Sequence, residues 1–275
     1  MTDHTAPRPS TAQPSPGQPL TDAEVTAYLA RIGHPPVHAP DADTLATLQD
    51  AHVRRVPFEN LDIHLGRRLS LSIGDLHAKV VGEHRGGFCF ELNGLFHALL
   101  VSLGYDARLV EARDLEEDGS LGPRFDHARI LVALDEPLLV DVGTGASPRG
   151  PIRLRDEPQQ VGHIRYRVRE VGGRYVSERL DGDDWTTGWS FDATPRRLDE
   201  FEERCTYHQT SPDSHFTHNP LCTLVTEDGH VTLADRQLLV TRGDHREESW
   251  VDEPLAVLAD RFGVRVPRWP GTAGS

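Results

Sequence analysis

At Gly104 the spacing of apolar side chains changes, and this constrains the fold more than any other feature of the 275-residue chain. Before it, Leu92, Leu95, Phe96, Leu99, Leu100 and Leu103 recur at steps that place them on one face of an α-helix. After it, "YDARLVEA", "FDHARILVAL" and "PLLVDVG" read as strands with a period of two. Upstream, "TDAEVTAYLARIG" predicts a helix with Thr21 as N-cap, Glu24 completing a capping box and Gly33 as the stop. "DADTLATLQDAHVRRV" predicts a second helix that ends before Pro57. "VPFENLDIHLG" reads as extended or looped, and "SIGDLHAKVV" as a third, short helix.

Downstream, "HIRYRVREV" and "RYVSERL" flank a Gly-Gly pair, a strong hairpin signal. "LCTLVT", "HVTLAD" and "RQLLVTR", with "EDG" as a turn, predict further strands, and "EPLAVLADRFG" a last helix. The expected class is α+β: a helical part over 21–104, an antiparallel sheet or barrel over 105–210, and a mixed part over 211–275. Residues 1–20 are rich in Pro, Ser and Thr, have no apolar stretch for a secretory signal, and read as a disordered tail.

Charge and cysteine usage exclude several classes. A net charge of −14 opposes a nucleic-acid backbone as partner. No apolar run approaches the length of a membrane span. Three cysteines, Cys89, Cys205 and Cys222, cannot form a complete disulfide framework, so a reducing, cytoplasmic setting is expected.

Cys89 opens the helix that precedes Gly104, in "RGGFCFELNG". A helix N-terminus stabilises a thiolate, and Gly86 and Gly87 allow a tight turn and close approach of a substrate. The same position also suits a small buried hydrophobe. A nucleophile needs a base and the base an orienter. His127 in "RFDHARILVAL" and Asp141 at the end of "PLLVDVGTG" are candidates. For the two to lie directly opposite, their hairpin must centre near residue 134, whereas the evident turn "DEP" centres near 136; a bulge or another register is then needed. Separately, Cys205, His208, His215, His218 and Cys222 crowd one segment, and the Cys205–His208 spacing is that of a zinc half-site, although the whole run is not a usual zinc pattern.

The chain resembles the arylamine N-acetyltransferases from about residue 22 to about residue 265. The resemblance rests on "RGGFCFELNGLF", "VPFENLDI" (56–63), "HARILV", "VDVGTG" and "TSPDSHF" (210–216), in the family's order. It implies a helical bundle carrying the cysteine, an antiparallel β-barrel carrying the histidine and aspartate, and an α/β lid, in a cysteine-protease-like Cys-His-Asp arrangement. It also implies a ping-pong reaction with acetyl-CoA as co-substrate and no metal. The acetyl group passes to Cys89, assisted by His127 and Asp141, and then to an arylamine, hydrazine or related aromatic amine.

By the same matching, Phe58 lines the acceptor pocket, and Phe216 forms another wall of that pocket or of the CoA entrance. Gly143 and Gly145 form a loop near the pantetheine and phosphates, and Thr144 and Ser214 join the binding set. Arg85 and Glu59 are expected to pair, and Arg85, Arg149 and Arg242 are candidates for the CoA phosphates. Three departures touch acceptor preference: Thr144 where relatives often carry an aromatic residue, Cys205 where Asn is frequent, and Asp126 where a hydroxyl residue is common. A macrolactam-forming amide synthase with a carrier-bound acyl donor, a transglutaminase-like hydrolase and a non-catalytic binding protein stay open as alternatives, as does a homodimer.

Overall fold

The computed structural model describes residues 19–116 and 118–270. The tail expectation for residues 1–18 lies outside them, but Leu20 packs into the core and its backbone N–H donates to Ser102 Oγ at 2.8 Å. Helix α1 (Asp22–Ile32) has the expected capping box at Thr21 and Glu24 and ends at Gly33 with φ 64°. Helix α2 is Ala42–Val53. The stretch expected to be extended or looped holds the short strand β1 (Phe58–Glu59), within that expectation, and then helix α3 (Leu61–Leu65), which was not expected. Helix α4 (Ile73–His77) runs on into a π-helical turn over Ala78–Gly82.

Helix α5 (Cys89–Ser102) runs through the centre, and every residue from Cys89 to Leu100 is buried. The sequence predicts one apolar face; the structure covers all sides, including the polar side chains of Glu91 and Asn93. A helix so placed must satisfy its polar groups internally, and these two do so in opposite directions.

The barrel-like sheet comprises β2 (Asp106–Asp114), β3 (His127–Ala133), β4 (Pro137–Val140), β5 (Ile152–Arg153), β6 (Gln159–Val161), β7 (Ile164–Val171), β8 (Arg174–Asp181) and β9 (Asp184–Arg196). Its order is β5-β4-β3-β2-β9-β8-β7-β6, and β5 packs back on β6 and β7, so the sheet is nearly closed. The β7–β8 hairpin turns at Gly172 and Gly173, φ 59° and 77°, as the Gly-Gly pair predicts. Helix α6 (Glu202–Thr210) follows.

A second antiparallel sheet has the order β1-β10-β11-β12-β13, with β10 (Leu221–Val225), β11 (Gly229–Ala234), β12 (Gln237–Arg242) and β13 (His245–Trp250), and helix α7 (Pro254–Phe262) against it. Strand β1 pairs Phe58 with Thr223 and Glu59 with Cys222, and Phe58 also bridges Gly87. The segment before Cys89 is thereby tied to the C-terminal sheet.

Candidate active site

The β3–β4 hairpin resolves the register question. Its last recorded pair is Ile130 with Val140, which centres the hairpin at residue 135, so the next position on the same axis sets Arg129 opposite Asp141. His127 lies two residues from Arg129 on the same strand, hence on the same face and diagonal to Asp141. Long side chains span that diagonal without a bulge. His127 Nε2 and Asp141 Oδ2 are 2.8 Å apart, and Arg129 Nε donates to the same oxygen at 2.8 Å.

Asp141 stands just past the strand end and its other oxygen is used as well. Oδ1 accepts from Asn93 Nδ2 and from the Gly143 backbone N–H, each at 3.0 Å. Burial opposes ionisation of this carboxyl, but the charges of His127 and Arg129 and the hydrogen bonds from His127 and Asn93 outweigh it, and hold it well below the usual carboxylate range. Because an ionised Asp141 can only accept, His127 Nε2 carries the hydrogen of this bond, and Nδ1 is left for another partner.

Cys89 joins this group through backbone packing. A Cβ on Gly143 would lie 2.8 Å from Cys89 Cα and 2.9 Å from its carbonyl oxygen, so only glycine allows the Asp141 loop to sit on the first residue of α5. Asn93, one turn along the same helix face, completes the joint. Its Nδ2 also donates to Ala128 O at 2.7 Å, and its Oδ1 accepts from the Val142 N–H at 3.0 Å. One side chain thus binds the helix to the residue after His127 and to both sides of the Asp141 peptide link.

Two expectations about "RGGFC" change. Gly86 and Gly87 were expected to make room for a substrate; instead they let chain segments touch. A Cβ on Gly86 would fall 1.9 Å from Pro57 O, and one on Gly87 2.7 Å from Glu91 Oε2. The helix start was expected to favour the thiolate. Burial instead pushes the Cys89 thiol well above its ordinary range, the Cys205 thiol and the Asp141 and Asp126 carboxylates add to it, and the Phe90 backbone N–H only partly opposes them. Cys89, His127 and Asp141 are only 3, 2 and 1% exposed, so any ionisation of this thiol would depend on a nearby base rather than bulk water.

Around the thiol lies an aromatic cluster. Phe216 packs on Phe88 at 5.5 Å and faces Phe58 at 6.1 Å between ring centroids, and Cys89 and Cys205 belong to the same buried group. Ser214 is buried, caps the short 3₁₀ turn His215–Thr217 and hydrogen-bonds His208 Nδ1 at 3.0 Å. His208 Nε2 stands 3.2 Å from Asp126, which Arg204 also holds. Cys222 packs elsewhere, on strand β10 of the C-terminal sheet, in a separate buried cluster. Among the described residues no three His, Cys, Asp or Glu side chains gather to hold a metal ion.

Of the basic residues assigned to CoA phosphates, Arg85 is excluded. It is 1% exposed and pairs with Glu59, as expected, at 2.8 Å and with Asp62 at 2.9 Å. Arg149 binds Asp50 and the Glu227 carbonyl, and Arg242 lies 3.7 Å from Glu247. Gly145 faces Thr223. Thr144 donates its backbone N–H to Ser147 Oγ and lines a cavity of about 300 Å³ in the barrel mouth, beside Asp141.

Three residues of the site escape the sequence reading: Asn93, Arg129 and Trp189, which stacks on the His127 ring at 4.5 Å and 20°. Asn93 is four residues after Cys89 and Arg129 two after His127, so helical and strand periods put each on the face of its neighbour. That spacing is a usable signal. Trp189 comes from β9, far along the chain, and no local pattern marks it.

Comparison with known proteins agrees with the geometry. A family model described as "N-acetyltransferase" matches residues 41–269. Arylamine N-acetyltransferase of Mycolicibacterium smegmatis is 34% identical over 252 residues, 88% of this chain and 92% of the relative. The structure of arylamine N-acetyltransferase from Salmonella typhimurium superposes with a TM-score of 0.84 at 31% identity, covering 93% of this chain and 96% of that one. The Mycobacterium marinum arylamine N-acetyltransferase, solved in complex with CoA, gives 0.81 at 30% identity over 87% and 92%. The chain therefore belongs to the arylamine N-acetyltransferase family of acyltransferases.

Proposed function

We propose that the protein transfers an acetyl group from acetyl-CoA to an arylamine, hydrazine or related aromatic amine through a thioester on Cys89. The observation that carries this reading is the joint made by Asn93 and Gly143, which holds the start of α5 against a His127–Asp141 pair whose Nδ1 is unspent.

His127 Nδ1 takes the Cys89 proton, and the imidazolium so formed is stabilised by Asp141. The thiolate attacks the acetyl carbonyl, the C–S bond to CoA breaks, and CoA leaves as a thiol carrying the proton from His127. An amine then attacks the acetyl-Cys89 carbonyl. The amide C–N bond forms, the C–S bond breaks, and the amine's proton passes through His127 to Cys89, which returns to the thiol. The raised thiol pKa suits this cycle, because a thiolate formed only on demand is a strong nucleophile.

Phe58, Phe216 and Phe88 supply an apolar wall for an aromatic acceptor. The division into 21–104, 105–210 and 211–275 belongs to the same reading. So does a cytoplasmic setting, supported by three free, buried cysteines.

Incubation with acetyl-CoA, then intact-mass and peptide mapping, tests the reading. One acetyl group is expected on Cys89, and it should disappear, with N-acetylated product, when an aromatic amine is added. Failure of Cys89 to acetylate, or discharge of the adduct to water faster than to amine, overturns it.

A further inference from the structure

Close to the thiol, one carboxylate has an oxygen that no described residue uses. Asp126 directly precedes His127, after Phe125 has bent the chain with φ 57°. Helix α6 meets its side chain from one side only. Arg204 Nε donates to Oδ1, Arg204 Nη2 reaches the same oxygen, and His208 Nε2 stands 3.2 Å from it. Residues 204 and 208 are one helical turn apart and share that face. Among the described residues Oδ2 accepts no hydrogen bond, and the side chain is 13% exposed, so a ligand can reach it. Burial opposes ionisation of Asp126, but the contacts with His208 and Arg204 outweigh it, and the group stays charged.

This carboxylate belongs to the surroundings of Cys89. The His208 ring lies against Phe88 at 6.3 Å and Phe90 at 6.0 Å, the residues on either side of the thiol, and edge-on to Phe216 at 5.1 Å. Phe125 and Ala128, which bracket Asp126 and His127 in the chain, pack in the same cluster as Cys89. Burial is the main reason the thiol resists ionisation, and the charges of Asp141 and Asp126 add to it beside Cys205. The cations that border this group are committed to carboxylates. Arg129 is held by Asp141, and Arg204 by Asp126. Arg124 and Arg196, which cover the Phe125 ring, are both held by Glu111.

We propose that Asp126 selects the acceptor by charge: its open Oδ2 receives a cationic substituent, so the site favours aromatic amines that carry an ammonium group over those that carry a carboxylate. Phe58, Phe88 and Phe216 take the ring, and the ammonium donates to Oδ2. A carboxylate in the same place meets the like charge of Asp126 instead. Arg204 sets the strength of the preference, because its guanidinium offsets part of the Asp126 charge from the Oδ1 side. The role in acetyl transfer rests on the acetyltransferase reading; the charge selection of the pocket does not.

The probes are 3-aminobenzylamine, 3-aminobenzoate and the neutral 3-toluidine, each with one aniline nitrogen to acetylate. Their kcat/KM values are measured in the full parent chain, in Asp126→Asn and in Arg204→Gln, and comparison of each variant with the parent cancels the differing basicities of the anilines. The ratio of 3-aminobenzylamine to 3-aminobenzoate should fall about tenfold in Asp126→Asn and rise severalfold in Arg204→Gln. 3-Toluidine reports any effect common to all acceptors. A second measurement needs no acetyl transfer. Benzylamine, protonated at neutral pH, and benzoate are titrated as protectants of Cys89 against iodoacetamide. Benzylammonium should protect at about tenfold lower concentration, and the gap should close in Asp126→Asn. Ratios that stay put in both variants or move the same way in both overturn the proposal, and so does equal protection by the two ions. Selective protection by benzylammonium without transfer to any of the three anilines overturns the acetyltransferase reading and leaves the charge selection standing.

Discussion

Two buried charge clusters meet the first turn of α5 from opposite sides, and they are built on different rules. On one side Asn93 leads to Asp141, His127 and Arg129. On the other, Glu91 leads to Lys79, the chain's only lysine, at 2.8 Å; Lys79 binds Asp62 at 3.0 Å, and Arg85 ties Asp62 to Glu59. In this second cluster the charged groups pair with one another and also serve the backbone. Glu91 accepts from the Phe88 N–H and Glu59 from the Leu61 N–H. The first cluster saturates its carboxylate but leaves one imidazole nitrogen unspent. A closed network can only hold shape; a network with one open, titratable end can move a proton. The shared helix turn explains how one short motif carries both, since positions 89 and 93 share a face and 91 points away.

The difference can be broken by substitution. Cys89→Ser should lower acetyl transfer by at least about 10⁴-fold, by analogy with nucleophile removal in other covalent catalysts, while the thermal midpoint barely moves; a comparable loss of stability would show that the thiol is core filler. Arg85→Met should do the opposite. Leaving Glu59 and Asp62 underpaired costs about 3–5 kcal/mol, read by urea denaturation, and residual folded protein should keep its Cys89 acetylation. If stability is unchanged, the second cluster is not the brace described here. Asn93→Ala straddles both. It strips partners from Ala128 O, Asp141 Oδ1 and the Val142 N–H, so about 1–3 kcal/mol of stability and about 10–100-fold in transfer rate should go together. Loss of stability alone would deny Asn93 its positioning role, and the pH profile of Cys89 alkylation should shift if it has one.

The effect with the least bearing on activity comes from a third buried group that belongs to neither cluster. His52, hydrogen-bonded to Tyr28 and edge-on to Phe96, is pushed down to about 3 by burial and by the nearby Arg31 charge. Between the ordinary histidine range and pH 3 the unfolded chain holds a proton there that the folded chain refuses. Stability is then full above that range and falls on acidification through it. His52→Gln should flatten the fall measured by denaturation between pH 6.5 and pH 4; an unchanged slope would place the acid sensitivity in other groups.

Much of this was legible along the chain. The capping box at Thr21, the Gly-Gly hairpin and the change of period at Gly104 are local rules, and local rules held. Cys89, His127 and Asp141 were legible because their motifs are compact. Arg129 and Asn93 were hidden in plain periodicity, and Trp189 could not be found, because only sheet closure brings β9 beside β3. The hairpin centre was misplaced by one residue, and the diagonal between His127 and Asp141 removed the need for a bulge. "VPFENLDIHLG" could be read no further than extended or looped because its strand exists only as an edge paired to β10, more than a hundred and fifty residues away.

The amino-acid sequence by itself determined the change from helix to strand at Gly104, most of the longer helices and strands, the three candidate residues for the chemistry and the family, since each depends on spacing within a short window. The tertiary structure alone decided the direction of the Cys89 pKa, the contacts that require the two glycines before it and the second partner of Arg85, Asp62. Burial and charge act through space: the helix start favours the thiolate, and desolvation with Cys205, Asp141 and Asp126 around it disfavours the thiolate more. Gly86 is glycine because Pro57, distant in sequence, lies where its Cβ would stand.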